Sequence, residues 1–333
     1  MANNDMSNLF SKAFRKTTRM IQRAHNQRKA YVYPSSANGV ESHPSPVLGD
    51  IVTGSMFDPC VISSPDGRYA MYVSCRRNGT IERWDSVDGL AWKKVGVCLS
   101  GRNDFSSWDS MVNRACVMQE GSRWLMWFTG QCNGKSAIGL ASSVDGINFS
   151  RLTSSPVIVP TSSYEGVSVM NPCVLKLDDG LFHMWYSAGE DYEPDVICKA
   201  VSVDGVHWEK SPFPALSKGT EPYDSYKVGG CSVLNVDEHH LAMFYIGYQN
   251  LDVARICLAI SNDGGQVWKR SKANPLVGPC RHAWNAHSVY KPSALLLPDG
   301  SARLWYNARR KKDEFIGTAS ICNVRDLFVC SDY

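Results

Sequence analysis

The stretch YEGVSVMNPCVLKLDDGLFHMWYSAG, residues 164–189, contains the unit from which most of this chain is built. It begins with an acid in a Gly-containing loop, continues into an apolar run, turns at Asp-Asp-Gly and ends in an aromatic run. Short runs rich in Val, Trp, Tyr and Phe that are broken by Asp-Gly are typical of β-strands joined by tight turns. The stretch therefore predicts two consecutive strands and a turn.

Related stretches occur along the whole chain after residue 50. They are DPCVISSPDGRYAMYVS, RACVMQEGSRWLMWFTG, NPCVLKLDDGLFHMWYSAG, GGCSVLNVDEHHLAMFYIG and KPSALLLPDGSARLWYNAR, which share a Cys or Ser at Cys60, Cys116, Cys173, Cys231 and Ser293. A second motif, Ser-x-Asp-Gly before an aromatic, follows the first four at 86–92, 143–149, 202–208 and 261–268. Both markers recur at one period of about 58 residues, which indicates five internal repeats.

Each repeat has room for four strands, and a four-stranded unit repeated radially is the blade of a β-propeller, which leaves few exposed sheet edges. We therefore expect an all-β fold: a five-bladed β-propeller of four-stranded antiparallel blades over residues 31–333. The blades are expected near 50–100, 107–155, 163–212, 223–272 and 284–333. We interpret the Asp-Gly motifs as turns whose aromatic residue packs between blades. A stacked solenoid is the rival architecture, but it would favour shorter repeats.

The first 30 residues form a separate basic arm, with seven basic side chains against one acid, whereas the whole chain has 35 basic and 32 acidic residues. Residues 7–29 have helical periodicity, with Leu and Phe on one side and Lys and Arg on the other. Such a helix is suited to an anionic membrane surface. The alternatives are that its apolar side docks onto the propeller or that the arm is a disordered tail. The remaining body is slightly acidic, so we expect no nucleic-acid partner.

The cysteines and the N-terminus indicate a compartment. The twelve cysteines include no Cys-x-x-Cys pair, and no secretory signal is recognisable in the sequence. We expect free thiols in a cytoplasmic protein, peripheral to the inner face of the membrane if the arm binds lipid. We expect no cofactor and no metal. The adjacent histidines His239 and His240 lie in a hairpin predicted on the face away from the propeller funnel.

A further pattern precedes the strands that start near the axis. An aromatic residue stands directly before an acid or amide at Trp108-Asp109, Tyr164-Glu165, Tyr223-Asp224 and Trp284-Asn285, with Phe57-Asp58 nearer its strand. Aromatic faces stack on the C–H faces of sugars, and carboxylates accept hydroxyl hydrogen bonds or transfer protons. We therefore expect a carbohydrate substrate in the funnel. The alternative is that each acid only binds backbone N–H groups of its own loop.

The five repeats, the FDPCV motif, the acids of repeats two and three and the MWYS-type strands resemble the five-bladed β-propeller glycosidase superfamily. That superfamily includes arabinanases, xylosidases, invertases and mannoside phosphorylases, and the resemblance covers about residues 50–333. It implies that Asp58 is the base or nucleophile, that Asp109 orients it, and that Glu165 is the general acid. Asp109 lies upstream of its slot, where this chain has Arg114, and Glu165 lies seven residues before Pro172 rather than two.

The sequence thus predicts a glycoside-hydrolase-like enzyme that cleaves or transfers a glycosyl unit by carboxylate chemistry. The expected substrate-binding residues are Trp108, Arg114, Tyr164, Asn171, Tyr223, Asp224, Lys227, Trp284, His287 and Lys291. Basic residues near the inner strands leave open a glycosyltransferase or phosphorylase that uses a phosphate-bearing sugar. Arg76, Arg77, Arg309 and Arg310 would contribute to such a site, although Arg114 has the alternative role of pairing with Asp109 or Glu165. A non-catalytic propeller that binds glycan or protein is the remaining alternative.

Overall fold

The structure, a computed structural model, describes residues 22, 33–49, 55–64, 66–190, 192–280 and 283–328. The predicted helical arm, residues 1–30, lies outside the described residues except for Gln22. Its helical form and its contact with a membrane therefore stay predictions. In the described part of the chain, no helix has the length and hydropathy needed to cross a lipid bilayer.

The all-β prediction is confirmed, because strands make up most of the described structure. In chain order the strands are β1 Val40–Ser42, β2 Met56–Ser63, β3 Tyr69–Cys75, β4 Thr80–Ser86, β5 Lys93–Ser100, β6 Met111–Glu120, β7 Arg123–Cys132, β8 Lys135–Ser143, β9 Ser150–Arg151, β10 Ser168–Lys176, β11 Phe182–Glu190, β12 Glu193–Ser202, β13 Glu209–Lys210, β14 Lys227–Asn235, β15 Leu241–Asn250, β16 Val253–Ser261, β17 Lys269–Arg270, β18 Ser288–Leu296, β19 Ala302–Arg310 and β20 Asp313–Ile321. Two short 3-10 helices, Ser163–Glu165 and Arg325–Leu327, complete the regular elements.

The strands form antiparallel meanders of four. Three sheets contain four strands each, and one larger sheet consists of β6–β9 and β10–β13 joined by a single parallel pair, Ser136 with Ser168. We call the meanders unit one (β2–β5), unit two (β6–β9), unit three (β10–β13), unit four (β14–β17) and unit five (β18–β20 with β1). Unit five differs from the others because its outer strand is β1, which pairs with β20 and so brings the two ends of the described fold together.

A repeated hydrogen bond connects the first, inner strand of each unit to the next inner strand. In each case a thiol or hydroxyl accepts the backbone N–H of a residue on the following inner strand. The pairs are Cys60 with Val117, Cys116 with Val174, Cys173 with Val233, Ser232 with Ala294 and Ser293 with Val61. The last pair returns from unit five to unit one, so the inner strands form a closed ring around a central axis.

This ring corrects one position of the predicted repeat. The sequence alignment placed Cys231 at the shared site of unit four, but Ser232 makes the bond there. A β-bulge between Gly229 and Ser232 sets the register of β14, so Ser232 and not Cys231 pairs across the sheet with Phe244.

The Ser-x-Asp-Gly motifs form turns, as predicted. In unit two, Asp145 accepts the backbone N–H groups of Ile147 and Asn148, and Asp88, Asp204 and Asp263 repeat this arrangement in units one, three and four. The motif aromatics pack edge-on against the second strand of a neighbouring unit, at Phe149 with Tyr72, Trp208 with Trp127, Trp268 with Trp185 and Trp92 with Trp305. Their role as packing between units is therefore confirmed.

Candidate functional site

Each inner strand has a β-bulge at the same level of the ring, and one residue of each bulge has a left-handed backbone. These residues are Asp58 (φ 54°), Arg114 (φ 56°), Asn171 (φ 55°), Gly230 (φ 42°) and Lys291 (φ 45°). A left-handed conformation is uncommon for residues other than glycine and marks sites where backbone strain is retained. Four of the five positions carry polar side chains, and three of these are charged. The bulges therefore place polar and charged groups close to the axis.

The second strands hold these bulges in place. Polar side chains on these strands accept the backbone N–H groups of the bulges. Asn307 accepts from Asp58, Ser74 from Arg114, Thr129 from Asn171 and Ser187 from Gly230. For the fifth bulge, at Lys291, the corresponding residue on the second strand of the preceding unit is Ile246, whose side chain has no hydrogen-bond acceptor. Hydrogen bonds from a neighbouring unit therefore support four of the five bulges, three of which have a residue other than glycine in the left-handed conformation.

A polar cavity of about 160 Å³ lies at the ring. Asp58, Arg114, Asn171 and Lys291 line it, so the structure brings together four of the residues predicted from the sequence. The other charged lining residues are Arg76, Glu193, Arg309 and Glu314. We call this cavity the central pocket.

Two ion pairs organise the wall of the central pocket. Arg114 Nε donates to Asp58 at 3.0 Å, and Arg76 donates to Glu314 at 3.0 Å. Tyr290 also donates to Glu314 at 2.6 Å. Burial, together with the charge of Glu314, raises the pKa of the Tyr290 hydroxyl well above its ordinary value of 10.0, so Tyr290 remains a donor.

Lys291 differs from the other bases of the pocket. Its side chain is 4% exposed, and its Nζ donates only a long bond of 3.4 Å to the carbonyl of Cys231. No carboxylate of the described chain lies within salt-bridge distance of it. A buried ammonium without a counter-charge is costly.

Sequence reasoning missed Glu193 and Glu314. Glu193 begins β12 in the hairpin of unit three, lines the central pocket and forms no ion pair among the described residues. Glu314 lies on the hairpin of unit five. Both lie far in sequence from the aromatic-acid pairs, but Glu314 pairs across the β19–β20 hairpin with Arg309, one of the arginines singled out from the sequence.

Glu165 and Asp109, the predicted general acid and orienting residue, do not line the central pocket. Both side chains are 0% exposed. Glu165 pairs with Lys210 at 2.7 Å and accepts the Tyr186 hydroxyl and the N–H groups of Thr161 and Ser162.

The same arrangement recurs in units two and four. Asp109 pairs with Arg151 and Arg102, and Asp224 pairs with Arg270 and accepts the Tyr245 hydroxyl. In each unit a base on the fourth strand, β9, β13 or β17, binds the acid of the loop before the inner strand. Each acid thus fastens the outer strand to that loop, which corrects the expectation that these acids meet in one funnel.

Burial raises the pKa values of Glu165 and Asp109, but their partners outweigh it. The Lys210 hydrogen bond and the Thr161 and Ser162 amides bring the pKa of Glu165 below its ordinary value. Ser107 and Arg151 do the same for Asp109. A carboxyl held ionised in this way is poorly suited to act as a general acid near neutral pH.

The aromatic partners of these acids also pack within their units. Trp108 stacks on Phe128, and Trp284 stacks on Tyr306. Tyr164 donates its hydroxyl to the carbonyl of Ser211, and Tyr223 is buried. None of these four lines the central pocket, although Trp108 borders a separate surface groove of about 420 Å³ between units two and three.

The two remaining predicted residues lie beside the pocket without lining it. Lys227 lies over the rings of Tyr226 and Tyr248 and is 3.7 Å from Asp195. His287 accepts the N–H of Lys311. In the described ranges, no group of three or more His, Cys, Asp or Glu side chains is arranged to hold a metal ion.

Comparison with protein families gives a partial match. The model for the Glycosyl hydrolases family 32 N-terminal domain matches residues 169–318. The matched region covers units three and four and most of unit five, but it does not reach Asp58 or Arg114.

Two curated relatives match a shorter region. They are the uncharacterized proteins MT1551 and Rv1502 of Mycobacterium tuberculosis, each 34% identical over 113 residues. The match covers 31% of this chain, and the chain spans only 37% of the length of either relative.

Solved structures match over almost the whole chain. A thermostable family-43 glycoside hydrolase has a TM-score of 0.66 at 17% identity and covers 82% of this chain and 91% of its own. Beta-1,2-mannobiose phosphorylase from Listeria innocua has a TM-score of 0.69 at 13% identity, with 86% and 98% covered. A structure described as showing that the GH130 family of mannoside phosphorylases contains glycoside hydrolases has a TM-score of 0.69 at 13% identity, with 91% and 99% covered.

These likenesses show a fold of the propeller-glycosidase type. The resemblance stated from the sequence is therefore confirmed, and the matches support the prediction of a glycosidase-like enzyme.

Proposed function

We propose that this chain is a five-bladed β-propeller that cleaves or transfers a glycosyl unit in the central pocket, and that the sugar or its acceptor carries a phosphate group. The five units are the blades in this proposal. The solved relatives include both a glycoside hydrolase and a phosphorylase, so the fold is compatible with water or phosphate as the acceptor.

The observation that carries the phosphate part is Lys291. Its buried ammonium has no carboxylate partner in the described chain, while Arg76, Arg114 and Arg309 line the same cavity. A phosphate would supply the missing counter-charge and would accept the charge-assisted hydrogen bonds that Lys and Arg donate. A neutral sugar would leave the ammonium uncompensated.

The carboxylates of the central pocket supply the acid and base chemistry. Asp58 keeps the position at the first inner strand that the glycosidase resemblance assigns to the base or nucleophile. Glu193 replaces Glu165 as the candidate general acid, because it lines the pocket and has no ion-pair partner among the residues that the structure describes. In this scheme Glu193 gives its proton to the leaving oxygen, while Asp58 acts at the opposite side of the scissile bond.

Two measurements test this proposal. Calorimetric titration with inorganic phosphate and with a panel of sugar 1-phosphates measures binding, and chromatography of products measures glycosyl transfer. We expect a phosphate-bearing compound to bind and to be turned over, and we expect Glu193→Gln and Asp58→Asn to bind it without turnover. Glu120→Gln is the matched control, because Glu120 is half-exposed and pairs with Lys176 away from the pocket.

A second candidate function is a non-catalytic glycan-binding propeller. It is favoured by the placement of Asp109 and Glu165, because only one of the three implied catalytic positions lies in the pocket. Binding of a sugar phosphate with no turnover by the unmodified protein would support this second function and overturn the enzymatic one. Failure of every phosphate compound to bind would overturn the phosphate part.

A further inference from the structure

The hairpins that border the central pocket carry opposite charges on its different sides. The β3–β4, β11–β12 and β19–β20 hairpins contribute Arg76, Glu193 and Glu314 to the lining of the pocket, so the tips of these hairpins stand at its mouth. Several charged residues of the tips do not line the pocket, and the fold does not require them.

The hairpin tips of units one and five form a basic patch. Four exposed basic side chains, which we call the basic rim, lie on these tips outside the pocket lining: Arg77, Arg310, Lys311 and Lys312. The ion pair between Arg76 and Glu314 joins the two hairpins, so the rim is one continuous surface. Within the described part of the chain, no side chain of the rim forms an ion pair. The tips also hold one acidic residue, Asp313, which is exposed.

The hairpin of unit three is acidic instead. Glu190 ends β11, Glu193 begins β12, and the two residues are paired directly across the hairpin. Asp195 follows on β12, and all three residues are exposed. Lys227 lies 3.7 Å from Asp195 and offsets part of this charge. The mouth is therefore positive at units one and five and negative at unit three, and such a field orients a charged ligand as it approaches.

We propose that the basic rim binds the distal part of an anionic glycan whose reacting end occupies the central pocket. Basic residues run along unit five from Lys291 inside the pocket, through Arg309 at its wall, to Arg310 and Lys311 at its mouth. A glycan with carboxylate or phosphate groups on its successive sugars matches this series of positive charges. Its chain leaves the pocket over units five and one, away from the acidic hairpin of unit three.

This inference rests on the proposed function for the identity of the reacting end. Binding at the rim, however, is measured without turnover, so the two proposals can fail separately.

An anionic membrane surface is the other large anion that a basic patch could bind. A flat surface lying across the mouth would approach Glu190, Glu193 and Asp195 as well as the rim, and it would be repelled by these acids. A flexible glycan chain can follow one side of the mouth and avoid them. The opposite charges of the two sides therefore favour the glycan.

The test measures binding of defined polysaccharides to the full chain by calorimetry. Polygalacturonate supplies carboxylates, dextran phosphate supplies phosphates, and unmodified dextran is the neutral control. We expect at least one of the two polyanions to bind more tightly than dextran, and to bind more weakly as the salt concentration rises from about 0.05 to 0.5 M.

A quadruple variant tests the rim itself: Arg77→Gln, Arg310→Gln, Lys311→Gln and Lys312→Gln. We expect its Kd for the polyanion to rise about 10-fold or more at low salt, because four exposed charges are removed together. Its thermal unfolding should match that of the parent, since all four side chains are exposed.

The matched control removes three exposed bases that lie on no hairpin bordering the pocket: Lys93→Gln, Arg123→Gln and Lys272→Gln. It should bind the polyanion as the parent does. The proposal is overturned if neither polyanion binds the parent, if the quadruple variant binds as tightly as the parent, or if the control variant loses binding equally. Binding to phosphatidylserine vesicles through the rim, with no binding of either polyanion, would replace the glycan by a membrane.

Binding of sugar 1-phosphates separates this inference from the proposed function. The quadruple variant should bind them as the parent does while it loses the polyanion. Loss of both ligands would show that the substitutions act through the pocket, and it would overturn the rim as a distinct site. A parent that binds the polyanion through the rim but binds and turns over no sugar phosphate would overturn the proposed function and leave the rim as a glycan-binding site.

Discussion

Asp58 and Arg114 hold the same position on neighbouring inner strands, and their side chains meet in an ion pair of 3.0 Å at the wall of the central pocket. Both backbones have positive φ values, which non-glycine residues adopt at a cost. Each bulge is in turn held by a polar side chain of the preceding unit, Asn307 for Asp58 and Ser74 for Arg114. The fold therefore places an anion and a cation in contact at the axis.

Replacing Asp58 by Asn should abolish most turnover without unfolding the protein. The amide has almost the same volume as the carboxylate, but it cannot act as a base or nucleophile. Acid–base groups contribute about 10²–10⁴-fold to rate, so we expect a fall in kcat of at least about 100-fold. Steady-state kinetics measure it, and Asp66→Asn, at an exposed turn, is the control. Undiminished kcat in Asp58→Asn would remove Asp58 from the chemistry.

Replacing Lys291 by Met should weaken binding of phosphate-bearing ligands while leaving the fold intact or more stable. Met keeps the length of the side chain but removes the buried ammonium, whose burial without a carboxylate partner in the described chain costs free energy. A hydrogen bond to a charged group contributes about 1.5–3 kcal/mol, which corresponds to a rise in Kd of about 10- to 150-fold.

Calorimetry and thermal unfolding together check this prediction. Lys176→Met is the matched control, because Lys176 forms its ion pair with Glu120 away from the pocket. If the Lys291 variant binds phosphate as tightly as the parent but unfolds at lower temperature, Lys291 has a structural role and the phosphate proposal loses its main support.

Replacing Glu165 by Gln should destabilise the protein rather than remove a catalytic proton donor. The change leaves Lys210 facing a neutral amide in a site where the Glu165 side chain is fully buried. Removing one partner of a buried ion pair costs about 3–5 kcal/mol. Urea unfolding measures the loss, and the double variant Glu165→Gln with Lys210→Met should recover part of it. A variant of normal stability that has no activity would instead return Glu165 to the catalytic residues.

Stability should fall on acidification because of the buried acids. The pKa values of Glu165 and Asp109 in the folded chain lie below their ordinary values of 4.5 and 3.8. Near and below those ordinary values the unfolded chain binds more protons than the folded chain, so protons favour unfolding. The contribution of these groups is complete above about pH 5 and is lost as the pH falls through the lowered native values.

Urea unfolding at a series of pH values from about 7 to 3 measures this dependence. Arg151→Met removes a partner that lowers the pKa of Asp109, so the slope of stability against pH should be shallower in that variant. An unchanged slope would show that Asp109 does not contribute to acid unfolding.

The repeat and its strands could be predicted because they depend on local chemistry. Alternating apolar and aromatic runs, Asp-Gly turns and a constant period are all visible within one unit. The shared position of unit four could not be assigned from the sequence because Cys231 and Ser232 are adjacent; the register of β14 and the Ala294 N–H, which donates to Ser232 Oγ, distinguish them.

The site was only partly predictable because its contacts are distant in sequence. Asp58, Arg114, Asn171 and Lys291 were found since each lies at the start of its inner strand, next to the repeated Cys or Ser. The structural role of Glu165 could not be predicted, because its partner Lys210 lies 45 residues later, on the outer strand of the same unit, and contacts Glu165 only in the folded protein. Glu193 carried no local signal, because nothing near it repeats.

The outer strand of unit five has a consequence for how the protein is made. β1 is synthesised near the start of the chain, but its partner β20 is synthesised after all the other units. Translation proceeds at about 5–20 residues per second, so many seconds pass between the synthesis of Val40 and that of its pairing partner Ile321. During that time β1 is an unpaired strand, and unit one lacks the hydroxyl of Ser293 that completes the ring. The ring therefore closes only after β20 has been synthesised, and a chain released before that point should be prone to aggregation through the unpaired edge of β1.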